Sequence, residues 1–353
     1  MSASILCDLV LLTWNRLDLL KPCIERILRY TDVSTRLIVV DNGSTDADAL
    51  EYLRNLKGGG CVEATVLRRP QNGAIAAALN EGLAQTRAPW VCLLNNDILV
   101  TEGWLSEMIS VAQSHPRLGF LNPMSNEFGL SPRRGQTPDT LATRCRKFRG
   151  RWMENTGCVG FCALLPRHVR NQVGYFDETL QPMYFEDADY SLRIQNAGFL
   201  CGIAQGAYVY HHGGATLRHD GLRGERFQEN EDRFFKKWAR PRPLRIAWIL
   251  PPSSEVNSPE EARERIRSLA NQGHKIWVFL TSENRPLVPD HLQVVPVLFP
   301  RLGFSLLARW KILTKKKKYH QILHGAAGAE GSPTTALRPA AVGRRGFEPR
   351  SQD

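Results

Sequence analysis

No apolar run in this chain approaches the ~18 residues that a membrane-spanning helix requires, so no transmembrane segment is expected. The N-terminus, Met1-Ser2-Ala3-Ser4-Ile5, has no basic stretch ahead of an apolar one, which argues against a signal peptide. The eight cysteines stand singly, with no CxxC pair, so neither a zinc site nor a disulfide framework is expected. Cys7 and Cys92 fall in strand-like runs, where a thiol behaves as a small apolar side chain. The reading is a reduced, cytoplasmic protein. No GxGxxG turn follows the first strand. Thr13-Trp14-Asn15-Arg16 stands there instead, which removes the fingerprint of a nicotinamide-dependent oxidoreductase. No zinc-finger spacing or RNA-binding sheet motif occurs, so nucleic acid is not an expected partner.

What is present is ordinary in bulk: 42% hydrophobic and 23% charged residues, as in a globular chain. The charge balance is less ordinary, at +11. Basic residues crowd residues 133–151 and 236–245, and Lys315-Lys316-Lys317-Lys318 forms a compact run. Such runs suit anionic small substrates or peripheral contact with an anionic membrane on its inner face, or are simply solvated.

Strand-like and helix-like segments alternate up to about residue 100. Strands are expected at residues 9–12, 37–40, 64–67 and 90–94, with helices at 17–30, 47–56 and 74–84. This alternation implies an α/β fold with a mostly parallel, doubly wound sheet. Residues 125–150 are polar, basic and rich in Gly and Pro, and read as a mobile loop where acceptor contacts are expected. An apolar run follows at 160–165, then a helix ending before Gly198, a strand at 207–210 and a helix at 225–238. Arg240-Pro241-Arg242-Pro243 marks a boundary. Beyond it, residues 244–280 read as one strand–helix–strand unit, and after Lys318 the pattern is lost. The expected divisions are 1–240, a partial unit at 241–318, and a disordered tail at 319–353.

Four polar sites close successive strands: Thr13 to Arg16, Asp41 to Asp46, Asn95-Asn96-Asp97, and His211-His212. In a parallel sheet those ends share one rim, the usual ligand side. A carboxylate such as Asp97 suits a hard divalent cation, and a neutral imidazole can complete its shell. Asn/Asp turns account equally well for any one of these sites taken alone. Asn72-Gly73 precedes an alanine-rich helix bearing Asn80, whose N-terminus suits phosphate. Phe185-Glu186-Asp187-Ala188-Asp189 sets three acids at the mouth of a helix, as capping charges or as a general base. Asp189 and Arg193 are spaced to pair on one helix face.

Together these stretches, with Gly160-Phe161-Cys162 and Gly174-Tyr175-Phe176-Asp177-Glu178, resemble the family 2 glycosyltransferases over about residues 7–240. The pattern is most similar to the rhamnosyltransferase-like and galactofuranosyltransferase-like members. The resemblance implies the GT-A nucleotide-diphospho-sugar transferase fold and inverting sugar transfer. The donor would be a nucleotide sugar, dTDP-rhamnose or a UDP-sugar. The acceptor would be a glycan or a lipid-linked glycan of surface polysaccharide. By position, Thr13, Asn15, Arg16, Asp41, Asn72, Asn80, Asn95 and Asn96 would bind the nucleotide sugar. Asp97 and His211 would hold Mg or Mn, with Asn95 replacing the first acid of the usual Asp-any-Asp motif. Asp187 would be the catalytic base, with Glu186 beside it. Residues 244–281 resemble the opening of a GT-B glycosyltransferase domain, cut short. A nucleotide-sugar-binding pseudoenzyme, or an inactive fragment of a larger two-domain glycosyltransferase, is the alternative.

Overall fold

The computed structural model describes residues 4–213, 223–240, 242–252, 258–325 and 329–330. The chain divides into two compact units, Met1–Trp238 and Ala239–Asp353.

In the first unit, strands β1 (Cys7–Thr13), β2 (Thr35–Asp41), β3 (Val62–Arg68) and β4 (Trp90–Asn95) alternate with helices α1 (Leu17–Tyr30), α2 (Ala47–Arg54) and α3 (Ile75–Ala84). Then follow β5 (Ile98–Val100), α4 (Trp104–Ser114), β6 (Leu118–Met124), α5 (Pro138–Cys145), β7 (Trp152–Asn155) and β8 (Cys162–Pro166). Helices α6 (Arg167–Val173) and α7 (Glu186–Asn196), strand β9 (Leu200–His211) and helix α8 (Arg223–Trp238) complete it. The sheet order is β3-β2-β1-β4-β8-β6-β9-β5, with β7 also on β9. β1 pairs in parallel with β2 and β4, and β6 with β9, while β8 runs antiparallel between β4 and β6. Two antiparallel steps restore direction, so β9 points the same way as β1, β2 and β4. The expected α/β architecture with a mostly parallel sheet is what the chain adopts.

Alternation along the strands gives the sheet two apolar faces. Leu9 and Leu11 pack with Leu20, Ile24 and Ile27 of α1 and Trp104 of α4. Val10, Ile38 and Val40 pack with Leu79 and Leu83 of α3 and Tyr190 of α7. All eight cysteines are free, and only Cys61 is exposed.

Residues 125–150, expected as a mobile loop, contain α5. Thr137 caps it reciprocally with Thr140 and Pro138 opens it. Leu141, Ala142 and Cys145 fall on one helix face and bury against Tyr208 of β9. The polar, basic composition belongs to the outward face and masked this pattern. The adjoining turn Asn126–Phe128 is tied to β9 by two hydrogen bonds between Asn126 and the His211 backbone, at 2.8 and 2.9 Å.

The second unit has strands β10 (Arg245–Ile249), β11 (Lys275–Leu280), β12 (Val294–Leu298), β13 (Gln321–His324) and β14 (Ala329–Glu330), with helices α9 (Pro259–Asn271) and α10 (Phe304–Leu313). Its sheet order is β12-β11-β10-β13-β14, parallel except for β14. Ordered structure thus extends past the single strand–helix–strand unit expected, and past Lys318. β13 is only four residues long and has one buried apolar residue, Leu323, too short a pattern to read. The rest of the expected tail, residues 331–353, lies outside the described residues. Among the described residues, no helix is long and apolar enough to cross a membrane.

Candidate active site

Parallel pairing puts Thr13 opposite Asp41 and Leu12 opposite Asn95, so three strand ends lie on one rim with the end of β9. A cleft of ≈ 370 Å³ opens there. Eight of the twelve residues expected at the site line it: Thr13, Asn72, Asn95, Asn96, Asp97, Glu186, Asp187 and His211.

Strand β5 explains how Asp97 meets His211. Asn96 and Asp97 form the turn between β4 and β5, and Ile98 pairs antiparallel with His211. His212 N–H then donates to the Asp97 carbonyl at 2.9 Å. This register sets Asp97 Oδ1 3.2 Å from His211 Nε2. The exposed His212 side chain lies instead against Tyr210. His211 Nδ1 lies 2.8 Å from Glu127 Oε1, and its ring stacks on Phe161, with centroids 5.0 Å apart. Burial pulls the His211 pKa down, but the Asp97 and Glu127 carboxylates beside its two ring nitrogens outweigh it and raise the value to about 9.

A divalent cation fits this pair. Asp97 Oδ1 and His211 Nε2 are both buried and make no well-formed hydrogen bond. Two ligands about 2.1 Å from one octahedral ion lie about 3 Å apart, close to the observed separation. Glu127 on the far ring nitrogen is the orienting partner that metal-bound histidines usually have. Among the described residues, no three His, Cys, Asp or Glu side chains gather as a ready-made cage.

Helix α7, which brings Glu186 and Asp187 to the same cleft, begins after two residues in left-handed backbone, Tyr184 (φ 76°) and Phe185 (φ 70°). Phe185 packs on Phe227 and Phe234 of α8. The Asp187 carboxylate accepts from Gly160 N–H at 3.0 Å and Ala188 N–H at 2.7 Å. Burial raises its pKa, and those two donors oppose the rise. Burial, with the Asp187 charge beside it, raises Glu186 to about 8, and Glu186 Oε2 is buried without a hydrogen bond. Asp189, fully buried, turns away from the cleft. It meets Arg193 Nε at 2.9 Å, Trp238 Nε1 at 3.0 Å and Lys237 Nζ at 2.6 Å.

The other four expected residues sit elsewhere. Asn15 and Arg16 line a separate hollow with Asp18, Asp46 and Asp48. Asn15 Oδ1 accepts from the Thr45 and Asp46 N–H groups, and Arg16 pairs with Asp18. Asp41 is 1% exposed; it accepts from Ser44 N–H and meets Arg68 at 3.3 Å. The Asn80 amide is fully used on Phe176 and Glu178, which pins the loop behind the cleft. Sequence reasoning missed Asn42 and Glu127. Asn42 Nδ2 donates to Asn72 Oδ1 and the Gly73 carbonyl, closing the rim between β2 and α3.

The sequence pattern of Glycosyl transferase family 2 matches residues 8–174. That match covers just under half of the chain. Strands β1 to β8 and most of the cleft lie within it; α7, His211 and α8 follow it. The chain is 28% identical over 259 residues to the uncharacterized protein y4gI of Sinorhizobium fredii, covering 67% of this chain and 28% of that one. It is 27% identical over 230 residues to an N-acetylglucosaminyl-diphospho-decaprenol L-rhamnosyltransferase of Mycobacterium tuberculosis, covering 54% and 72%. Solved structures similar to the chain include GalNAc-T7 with UDP, GalNAc and Mn²⁺: 14% identity, 66% of this chain, 48% of that one, TM-score 0.49. Another is the mannosyltransferase PcManGT of Pyrobaculum calidifontis with GDP-Man and Mn²⁺: 15% identity, 67% and 64%, TM-score 0.47. The chain spans little more than a quarter of the length of the first relative.

Proposed function

We propose that the first unit transfers a sugar from a nucleoside-diphosphate sugar to an acceptor hydroxyl, with inversion at the anomeric carbon. The observation that carries this reading is one cleft lined by Asp97, His211 and Asp187 together. The domain match supports the transferase class. The rhamnosyltransferase relative supports a deoxyhexose donor such as dTDP-rhamnose and a lipid-linked glycan acceptor.

In this reading Asp97 and His211 hold a divalent cation, which when bound offsets the charge of the diphosphate. Asn72 and the N-terminal end of α3 face the same phosphates. Glu186 stays protonated at neutral pH, so it adds no negative charge beside Asp187. Burial raises the Asp187 pKa and so strengthens it as a base, while two backbone donors oppose the rise. The Asp187 carboxylate takes the proton of the acceptor hydroxyl. That oxygen bonds to the anomeric carbon as the bond to the diphosphate breaks. Adjacent carboxyls pushed to different protonation states are a common acid–base arrangement.

Calorimetric titration with dTDP-, UDP- and GDP-sugars, each with Mn²⁺ and then with chelator, tests the donor wall. The expected result is binding of one nucleotide class that chelator weakens and Asp97→Asn weakens likewise. Binding indifferent to both would remove Asp97 and His211 from the donor site.

A further inference from the structure

Helix α10 in the second unit is apolar on two opposite faces. Phe304, Ala308 and Ile312 point inward and pack on Ala247, Ile249 and Phe279 of the sheet. Leu306, Trp310 and Leu313, spaced four and three apart, point the other way and are 76%, 62% and 71% exposed. Leu302, just ahead of the helix, continues this face and is 92% exposed. Surface helices ordinarily carry polar residues there, and large apolar side chains left in water mark a contact surface.

The surrounding charge has one sign. From residue 291 to 329 there is no Asp or Glu, while Arg301, Arg309, Lys311 and Lys315 to Lys318 supply seven cations. One of them, Arg301, reaches Glu283 at 4.0 Å. The lysine run is tied to the sheet. Arg245 donates to the Lys317 and Lys318 carbonyls at 3.0 and 3.2 Å, and Lys318 Nζ donates to the Leu313 carbonyl at 2.6 Å. Lys315 is held over the Trp277 ring at 4.8 Å. The side chains of Lys316, Lys317 and Lys318 remain exposed.

We infer that α10 and the lysine run after it form a docking surface for an anionic lipid bilayer. Leu302, Leu306, Trp310 and Leu313 enter the interface and the lysines meet the headgroups. An exposed apolar stripe with a tryptophan and a rim of cations is the composition of helices that lie in the membrane interface plane. Nothing in this inference depends on sugar transfer.

The test is co-sedimentation of the full chain, without donor, with vesicles of phosphatidylcholine alone and with 30% phosphatidylglycerol added. The expected result is binding to the anionic vesicles only. Lys316→Gln/Lys317→Gln should weaken it about tenfold or more, since each cation near such a surface contributes about a factor of five. Leu306→Ser/Trp310→Ser should weaken it comparably. All four side chains are exposed, so the circular dichroism and melting of both variants should match the parent. Equal binding to neutral vesicles, or anionic binding that either variant leaves unchanged, would overturn the proposal. So would a dimer that Leu306→Ser/Trp310→Ser converts to monomer, which would assign the face to a second copy. Random-sequence DNA displacing the vesicles at equal charge would assign it to nucleic acid.

Discussion

Glu186 and Asp187 are neighbours whose carboxyls have different partners. Asp187 has two backbone donors, and Glu186 Oε2 has none. The folded chain therefore keeps the Glu186 proton up to about pH 8, whereas the unfolded chain releases it near 4.5. Between those values the unfolded chain binds fewer protons, so stability falls as pH rises, by up to about 1.4 kcal/mol per unit. Glu186→Gln should flatten that slope, and denaturant melts from pH 5 to 8.5 read it directly. A slope equal to the parent's would contradict the buried, protonated Glu186. Two residues further on, Asp189 is fully buried among Arg193, Lys237 and Trp238. Asp189→Ala leaves Arg193 and Trp238 without their shared acceptor, while Lys237 keeps Asp177, and should cost about 3 kcal/mol in urea denaturation. A loss under about 1 kcal/mol would mean that the cluster is better solvated than its burial indicates.

At the scale of elements, the rim is assembled by pairings at two ranges. Strands β1, β2 and β4 were legible because each is a short apolar run ending in polar residues, with helical spacing between them. The shared rim followed from the parallel order. The contact between Asp97 and His211 was legible only as a coincidence of chemistry. Its cause, antiparallel pairing of the three-residue β5 with the end of β9, spans more than a hundred residues and leaves no local pattern. Glu127 was illegible for the same reason: it lies in a polar stretch, and only the Asn126 bonds to β9 bring it to the His211 ring. Asp41 and Asn80 were read as ligands from their positions; in the fold Asp41 bonds Ser44 N–H and Arg68, and the Asn80 amide bonds Phe176 and Glu178. Gly43 shows what holds the loop end of β2. Its φ is +75°, and a Cβ there would lie 2.2 Å from the Gln71 carbonyl carbon. Gly43→Ala should therefore cost about 1–3 kcal/mol and weaken donor binding, by displacing the loop that carries Asn72. Equilibrium melts and nucleotide titration check both effects, and unaltered values would show that the loop yields freely.

At the scale of the whole molecule, each unit has its own sheet and its own buried clusters. The cleft belongs to the first unit. A nucleotide with Mn²⁺ at a hundred times its dissociation constant should stabilise that unit by about 2.7 kcal/mol. Hydrogen exchange should then slow in β1, β4 and β9, with rates in β10 and β11 unchanged. Equal slowing in both units would contradict a donor site confined to the first. The central claim is that Asp187 removes the acceptor proton in a cleft whose donor wall it does not build. The most direct measurement is release of nucleoside diphosphate with acceptor present, compared between the parent and Asp187→Asn, with donor binding measured on both. The account predicts equal donor binding and transfer slowed about 10²–10⁴-fold in the variant. Transfer at the parental rate by Asp187→Asn would contradict it.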